Sequence, residues 1–371
     1  MRLSIPRRRL LLGALAFLLG LVFGIACTDR PESSEEPGTA SAEVSDVPAA
    51  TFDIRAVTLD ARDRPSDDVL DAIASLGASD ITLIPFGFQE TPHTPAIRRH
   101  TDGGWYSEST RGIRDLASRA AARDLGVILK PHIWIGHYSA DGQERDAIGF
   151  DAEGDWASWE VEYREFMLYY ARLAEEVDAR ALVIGCELNR AVRERPAFWR
   201  SLIAEVRSVY DGKLTYAANW SEDLRQIEFW DALDYVGVQA YFPLVHDSTR
   251  GDSVTVEQLQ AGWDRHAHQL EAIHRATGRP LLFTELGYRS DPDAARAPWR
   301  WPEDGEKVEP DPAMQARCYR AFFQALGSAN WLGGAIVWKW HPEPESKRPT
   351  GFTPQNKPAA AILRQGFGAA G

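Results

Sequence analysis

From Thr51 onward, short apolar runs alternate with longer amphipathic segments, and this alternation constrains the fold more than any other feature of the chain. A short apolar run bounded by turn residues reads as a strand buried on both faces, and apolar residues three and four apart read as a helix lying against it. Strand and helix in regular alternation build crossover units around a parallel sheet. Strands are expected at 52–59, 80–85, 127–135, 182–187, 214–218, 235–241, 281–285 and 335–340. Helices are expected at 67–76, 113–125, 156–177, 196–209, 224–230, 256–276, 312–326 and 358–365. Eight such pairs in about 320 residues predict an α/β fold, a single (β/α)8 TIM barrel over residues 51–371.

The connections are uneven. Those after the second, third, sixth and seventh strands (86–110, 136–155, 242–253 and 287–311) are long, whereas those leading into strands are short and contain Gly77, Gly126, Gly212 and Gly278. Glycine there suits a helix C-terminus. Long strand-to-helix loops build up the C-terminal face of the barrel, where active sites of this fold sit. The aromatic stripe Trp156, Trp159, Tyr163, Phe166 and Tyr170 recurs at helical spacing and reads as the face that packs its helix on the barrel.

Ahead of the barrel, residues 1–27 have a basic start, an apolar run from Leu10 to Ala26, and then Cys27, the layout of a signal peptide. At about 17 residues the run is near the lower limit for spanning a bilayer, so an uncleaved anchor is the alternative. Gly24-Ile25-Ala26-Cys27 resembles a bacterial lipoprotein cleavage site, in which Cys27 would be lipidated. Arg7-Arg8-Arg9 also permits a twin-arginine export signal. Residues 28–50 are rich in Ser, Glu, Pro and Ala, too poor in apolar surface to offset the entropy of ordering, and are expected to form a flexible acidic linker. The expected location is therefore the bacterial cell envelope, with the domain tethered to a membrane.

Formal net charge is −13, and removing the leader's four arginines (Arg2, Arg7, Arg8, Arg9) leaves −17. Such an acidic chain repels polyanions, which excludes nucleic acid as a natural partner. Three cysteines, one at the leader boundary and two in an expected strand and helix, provide neither a disulfide framework nor zinc spacing. No cofactor motif is present: there is no Gly-rich phosphate loop and no Ser-centred nucleophile elbow. Thirteen tryptophans supply core packing and also the flat apolar faces that sugar-binding clefts use. Trp299 and Trp301 stand out because they lie in a long, Pro-rich loop where burial is not obligatory.

Two of the apolar runs stop on a carboxylate. Leu281-Leu282-Phe283-Thr284 ends on Glu285, and Ala181-Leu182-Val183-Ile184-Gly185-Cys186 ends on Glu187. One strand-end Glu is commonly a salt bridge or a helix cap. Two, on the fourth and seventh strands of a closed barrel, face one another across its mouth. Glycoside hydrolysis needs such a pair, with one carboxyl protonated and the other ionised.

Gly185-Cys186-Glu187-Leu188 together with Phe283-Thr284-Glu285-Leu286-Gly287-Tyr288 resembles the clan A glycoside hydrolases, and most closely glycoside hydrolase family 113, whose members are retaining β-mannanases. The resemblance covers roughly residues 51–367. It implies Glu187 as general acid/base, Glu285 as nucleophile and a carbohydrate substrate of β-mannan type. Most of the clan has Asn directly before the acid/base, where it contacts the sugar 2-hydroxyl. This chain has Cys186 there, and that departure bears on substrate identity rather than reaction type.

Supporting residues lie near strand ends. Side chains alternate along a strand, so Lys130, His132 and Trp134 fall on one face, expected inside the mouth. No neighbouring ligands give His132 metal-site spacing. Asn219 and Trp220 close the fifth strand, and Gln239 and Tyr241 share a face at the end of the sixth. The resemblance implies a sixth-strand side chain that hydrogen-bonds the nucleophile, assigned to Tyr241, and an eighth-strand aromatic platform under the sugar, assigned to Trp338 with Trp340 as the second choice. The rival expectation is a non-catalytic, glycan-binding surface lipoprotein on a degenerate barrel.

Overall fold

In chain order the strands are β1 (Ile54–Leu59), β2 (Asp80–Leu83), β3 (Phe86–Gln89), β4 (Ile97–Arg99), β5 (Gly126–Leu129), β6 (His132–Ile135), β7 (Ala181–Cys186), β8 (Lys213–Asn219), β9 (Val236–Gln239), β10 (Leu281–Leu286) and β11 (Leu332–Trp340). The helices are α1 (Asp67–Ala74), α2 (Thr110–Ala121), α3 (Glu153–Glu176), α4 (Asn189–Glu194), α5 (Pro196–Arg207), α6 (Val256–Thr277), α7 (Pro312–Leu326) and α8 (Pro358–Gly366). This computed structural model describes residues 47–99, 103–136, 145–222, 224–246, 254–302, 306–343 and 349–369. The expected leader, Cys27 and the linker as far as residue 46 lie outside the described residues. Among the described residues no helix is long and apolar enough to cross a membrane.

Eight strands close into the expected barrel in the order β1-β11-β10-β9-β8-β7-β5-β2, every neighbouring pair parallel. Two apolar layers hold it. Inside the barrel is a small cluster that includes Ile54, Ala56, Ile128, Ala181, Val183, Ala217, Leu282 and Ile336. Between sheet and helices lies the much larger core, which contains Trp156, Trp159, Tyr163, Phe166 and Tyr170, the whole stripe expected on α3. Alternation along each strand divides the two layers, as at Leu182 and Ile184 outside against Ala181 and Val183 inside. Small interior side chains fit because the backbones approach closely: a Cβ on Gly237 would lie 2.2 Å from the Tyr216 carbonyl oxygen.

Helix ends follow local chemistry. The Ser109 hydroxyl accepts from Gly112 N at the start of α2, Asp311 accepts from Met314 N at the start of α7, and Thr255 with Gln258 forms a capping box on α6. Proline occupies the first turn of α5, α7 and α8, where its missing N–H has no helical partner to lose. Gly278 ends α6 at φ 67°, the left-handed conformation that lacks a steric cost only in glycine.

Two expected elements differ. The strand expected at 127–135 is two strands, β5 and β6, separated at Lys130-Pro131. Pro131 has no N–H for the ladder and restricts the residue before it. Beyond it, β6 leaves the barrel and pairs with β3 in a three-stranded sheet of order β4-β3-β6 above the mouth. The helix expected at 224–230 is instead a pair of 3-10 turns, Leu224–Gln226 and Trp230–Ala232. Leu224, Ile227 and Trp230 are all buried, and their spacing of three is the repeat of a 3-10 turn rather than of an α-helix.

Candidate active site

At the C-terminal end of the barrel a cleft of about 770 Å³ is lined by Glu187 and Glu285 together with Lys339, Arg145 and a set of aromatic rings. Glu285 reaches it through a break in the strand's alternation. Phe283 pairs with Val238 and Glu285 with Gln239, so β10 spends one more residue than β9 over the same step. Without that extra residue Glu285 would share the outward face of Phe283; with it, the carboxylate turns into the mouth.

Both oxygens of Glu285 are held. Lys130 Nζ donates to Oε1 at 2.5 Å and Tyr241 Oη donates to Oε2 at 2.6 Å, with Glu285 only 4 % exposed. Lys130 leaves the end of β5, is wholly buried, and also donates to Gln239 Oε1 (2.7 Å) and the Thr284 carbonyl (3.2 Å). Its three donors thus meet three acceptors. Burial, with the charge of Glu285 beside it, pushes the Tyr241 hydroxyl well above its ordinary range, so it remains a donor at neutral pH. Gln239 then donates from Nε2 to Cys186 Sγ at 3.4 Å. Burial pushes the Cys186 thiol up to about 12, which makes it an uncharged acceptor rather than a thiolate.

Glu187 is set differently. One extra residue in β7 between Val183 and Cys186 turns Cys186 into the barrel interior, and Glu187 itself has φ of 53°. A side-chain-bearing residue in that left-handed region costs roughly 1 kcal/mol. Its N–H donates to the Ala217 carbonyl at 2.9 Å, anchoring the turn. The carboxylate accepts from Arg145 Nε at Oε2 (2.9 Å) and from Asn219 Nδ2 at Oε1 (3.3 Å). Burial works against the Arg145 charge, yet the neighbouring Glu187 carboxylate more than compensates and the guanidinium is held charged.

His132 is 3 % exposed at the cleft wall. Burial first, then Lys130 and Arg145, push its imidazole well below the ordinary range, so it is neutral. Trp134, on the same face, stands 43 % exposed over the cleft with Phe86 edge-on at 5.8 Å. Trp338 lines the cleft, with Lys339 Nζ 5.2 Å from its ring centre. Trp340 does not join it and is buried in the outer core. Between Val57↔Val337 and Leu59↔Trp340, β11 has one residue more than β1, and this bulge puts Trp340 on the opposite face from Trp338.

Trp299 lies 4.7 Å, ring centre to ring centre, from Trp220, and Trp301 lies 5.1 Å from Phe352; all four line the cleft. Sequence reasoning missed Arg145, Phe352 and Lys339. The first two sit in loops without periodicity, and Lys339 reaches the mouth only because of the β11 bulge.

Residues 50–356 match Glycoside Hydrolase Family 113. The chain belongs to that family. Among solved structures, this family 113 chain is similar to a β-mannanase of the same family from Alicyclobacillus acidocaldarius in complex with ManMIm. The TM-score is 0.71 and the identity 27 %, over 86 % of this chain and 97 % of that one. A family 113 β-1,4-mannanase complex has the same TM-score of 0.71 at 24 % identity, over 86 % of this chain and 99 % of that one, a likeness of fold. No curated protein matches the chain. Family membership makes the protein a glycosidase, and its substrate is carbohydrate.

Proposed function

We propose that the protein is a retaining glycoside hydrolase acting on β-linked polysaccharide, of β-mannan type, by double displacement. The observation that carries this is the pair of glutamates on one cleft in unlike settings. Glu285 is fixed by Lys130 and Tyr241, and Glu187 is more open and held by Arg145 and Asn219. Glu285 attacks the anomeric carbon while Glu187 gives its proton to the departing glycosidic oxygen. The glycosyl-enzyme ester forms as the C–O bond breaks. Glu187, now ionised, takes a proton from water, and the resulting hydroxide displaces Glu285. One glycosidic bond and one water are consumed and the anomeric configuration is kept. Lys130 and Tyr241 orient the nucleophile, and Trp338 offers a ring face to the sugar at the cleavage point. The mannan assignment is supported by the similar family 113 structure from Alicyclobacillus acidocaldarius, described as a β-mannanase.

We also propose that the domain works outside the cytoplasm, tethered through Cys27 or an uncleaved leader. Radiolabelled-lipid incorporation into the full chain, lost in Cys27→Ala, tests the anchor.

The catalytic proposal is tested on β-1,4-mannan by reducing-end release and by NMR of the first-formed anomer. The expected product is the β-anomer, and Glu285→Gln should lower the rate by roughly 10³-fold or more. Binding of mannan with no hydrolysis would favour the non-catalytic lipoprotein, and a first-formed α-anomer would replace retention by inversion.

A further inference from the structure

Trp301 adds little to the core, being 51 % exposed, yet its ring is held on two partners: the Phe352 ring at 5.1 Å and the Arg289 guanidinium at 5.7 Å. The two rings come from different loops, Trp301 between β10 and α7 and Phe352 between β11 and α8. Phe352 also lies 6.1 Å from the Tyr241 ring, whose hydroxyl donates to Glu285. Ring contacts thus run from the nucleophile through Tyr241 and Phe352 to Trp301, and all three rings line the cleft.

Arg289, just past β10, ties the two loops. Its Nη1 donates to the Arg300 carbonyl at 2.6 Å, directly before Trp301, and its Nε donates to the Thr350 carbonyl at 3.3 Å, close before Phe352. The next two carbonyls of that second loop are also held. Ser290 N and Oγ donate to the Gly351 carbonyl (3.2 and 3.3 Å), and Gln315 Nε2 donates to the Phe352 carbonyl (2.9 Å). Phe352 is thereby fixed through its backbone, and Arg289 carries that fixed position across to Trp301. Arg289 and its ion-pair partner Asp291 are 4 % and 3 % exposed. Burying such a pair yields little stability, because lost hydration offsets the attraction, so stability alone does not account for it.

We propose that Arg289 is a positioning residue for substrate binding: by bridging the Arg300 and Thr350 carbonyls it holds Trp301 against Phe352 as a preformed ring face for a sugar unit beyond the one at the cleavage point. The inference rests on the glycosidase reading above. A half-exposed indole on an untied loop would have to be ordered at each binding event, and fixing it beforehand removes that cost. Arginine suits the task because its planar fork sends N–H groups in fixed directions, here to carbonyls of two loops, while the guanidinium lies over an indole.

The test compares kcat/KM for mannopentaose, which reaches past the cleavage point, with that for 2,4-dinitrophenyl β-mannoside, which has one sugar. Arg289→Lys keeps a charge beside Asp291 but not the fixed fork. It should lower kcat/KM for mannopentaose about two- to tenfold more than for the aryl mannoside, the range of one aromatic contact, with the difference carried by KM. Arg289→Met combined with Asp291→Asn removes the ion pair from both sides, so that no buried charge is left unpaired, and should show the same difference. In a Trp301→Ala background neither exchange should add to it, because the ring they position is gone. An equal effect on both substrates, or a further selective loss on mannopentaose without Trp301, overturns the proposal. Loss of the glycosidase reading would look different, as a parent chain that hydrolyses neither substrate; tryptophan fluorescence titrated with mannopentaose then makes the same comparison among the variants as dissociation constants.

Discussion

Replacing Lys130 by Met keeps an unbranched stem of similar length, with a thioether sulfur in place of one methylene, and removes the ammonium group, which makes it the sharpest probe of how the site is held. The lysine side chain is wholly buried and the Glu285 side chain is 5 % exposed, so neither charge can turn to water when its partner is lost. Breaking a buried pair from one side costs about 3–5 kcal/mol, most of it the penalty of the charge left behind. Among the described residues Tyr241 would remain the only donor to Glu285, while Gln239 and the Thr284 carbonyl would each lose one hydrogen bond. At about 2 °C per kcal/mol for a chain of this size, Lys130→Met should melt roughly 6–10 °C below the parent. Pairing it with Glu285→Gln removes the orphaned carboxylate. Urea unfolding of the parent, both single variants and the double variant then gives a coupling energy, expected at about 1.5 kcal/mol or more. A coupling below about 0.5 kcal/mol, with Lys130→Met melting within 2 °C of the parent, would refute the account of a mutually dependent buried pair.

Glu222, just after β8, predicts a pH dependence of stability. Burial raises its carboxyl in the folded state from 4.5 to about 7, so the folded chain binds the extra proton and stability is lost as pH rises between those values. At about 1.4 kcal/mol per unit the loss is at most about 3–4 kcal/mol. Urea unfolding at pH 4.5 and 7.5 should show the parent losing that much more than Glu222→Gln, and parallel behaviour of the two would contradict it. Trp299→Ala removes an indole that is 45 % exposed at the cleft edge. It should raise KM for mannan about two- to tenfold, from the 0.5–1.5 kcal/mol of one aromatic contact, and leave the pH profile in place. An unchanged KM would make Trp299 a partner of Trp220 only.

The barrel was legible because its signal is distributed: eight apolar runs and their amphipathic partners survive errors of a few residues in any one of them. What the period-two pattern did not reveal is where alternation breaks. Trp340 was grouped with Trp338 on that pattern, and the β11 bulge separates them. The same pattern would turn Glu285 outward beside Phe283, and only the mismatch with β9 brings it in. A bulge is a property of two strands paired together, so one strand's sequence does not contain it. Arg145 is a sharper case. It opens the 3-10 turn Arg145–Ala147, which has no apolar periodicity, and no local preference in the sequence specifies its contact with Glu187. Pro131, by contrast, is a strand breaker readable in the sequence, and it separates β5 from β6 despite the apolar run around it.

The unlike settings of the two glutamates also explain why each suits one proposed role. A nucleophile must present one oxygen along one line, and Glu285 is clamped at both oxygens by side chains that are themselves buried, Lys130 from β5 and Tyr241 just beyond β9. That clamp would hinder an acid/base, which has to exchange a proton first with a leaving oxygen and then with water. Glu187 is three times as exposed at the side chain, 15 % against 5 %, and its two donors come from the cleft edge, Asn219 at the end of β8 and Arg145 in the 3-10 turn Arg145–Ala147. Exchanging the settings would defeat both roles: a carboxylate held as Glu187 is would lack the fixed line of attack, and one between Lys130 and Tyr241 would have both oxygens already engaged when it had to exchange a proton. The backbone irregularities just before each glutamate, an extra residue in β10 and another in β7 followed by a left-handed Glu187, are what aim the two carboxylates from one barrel rim into such different surroundings.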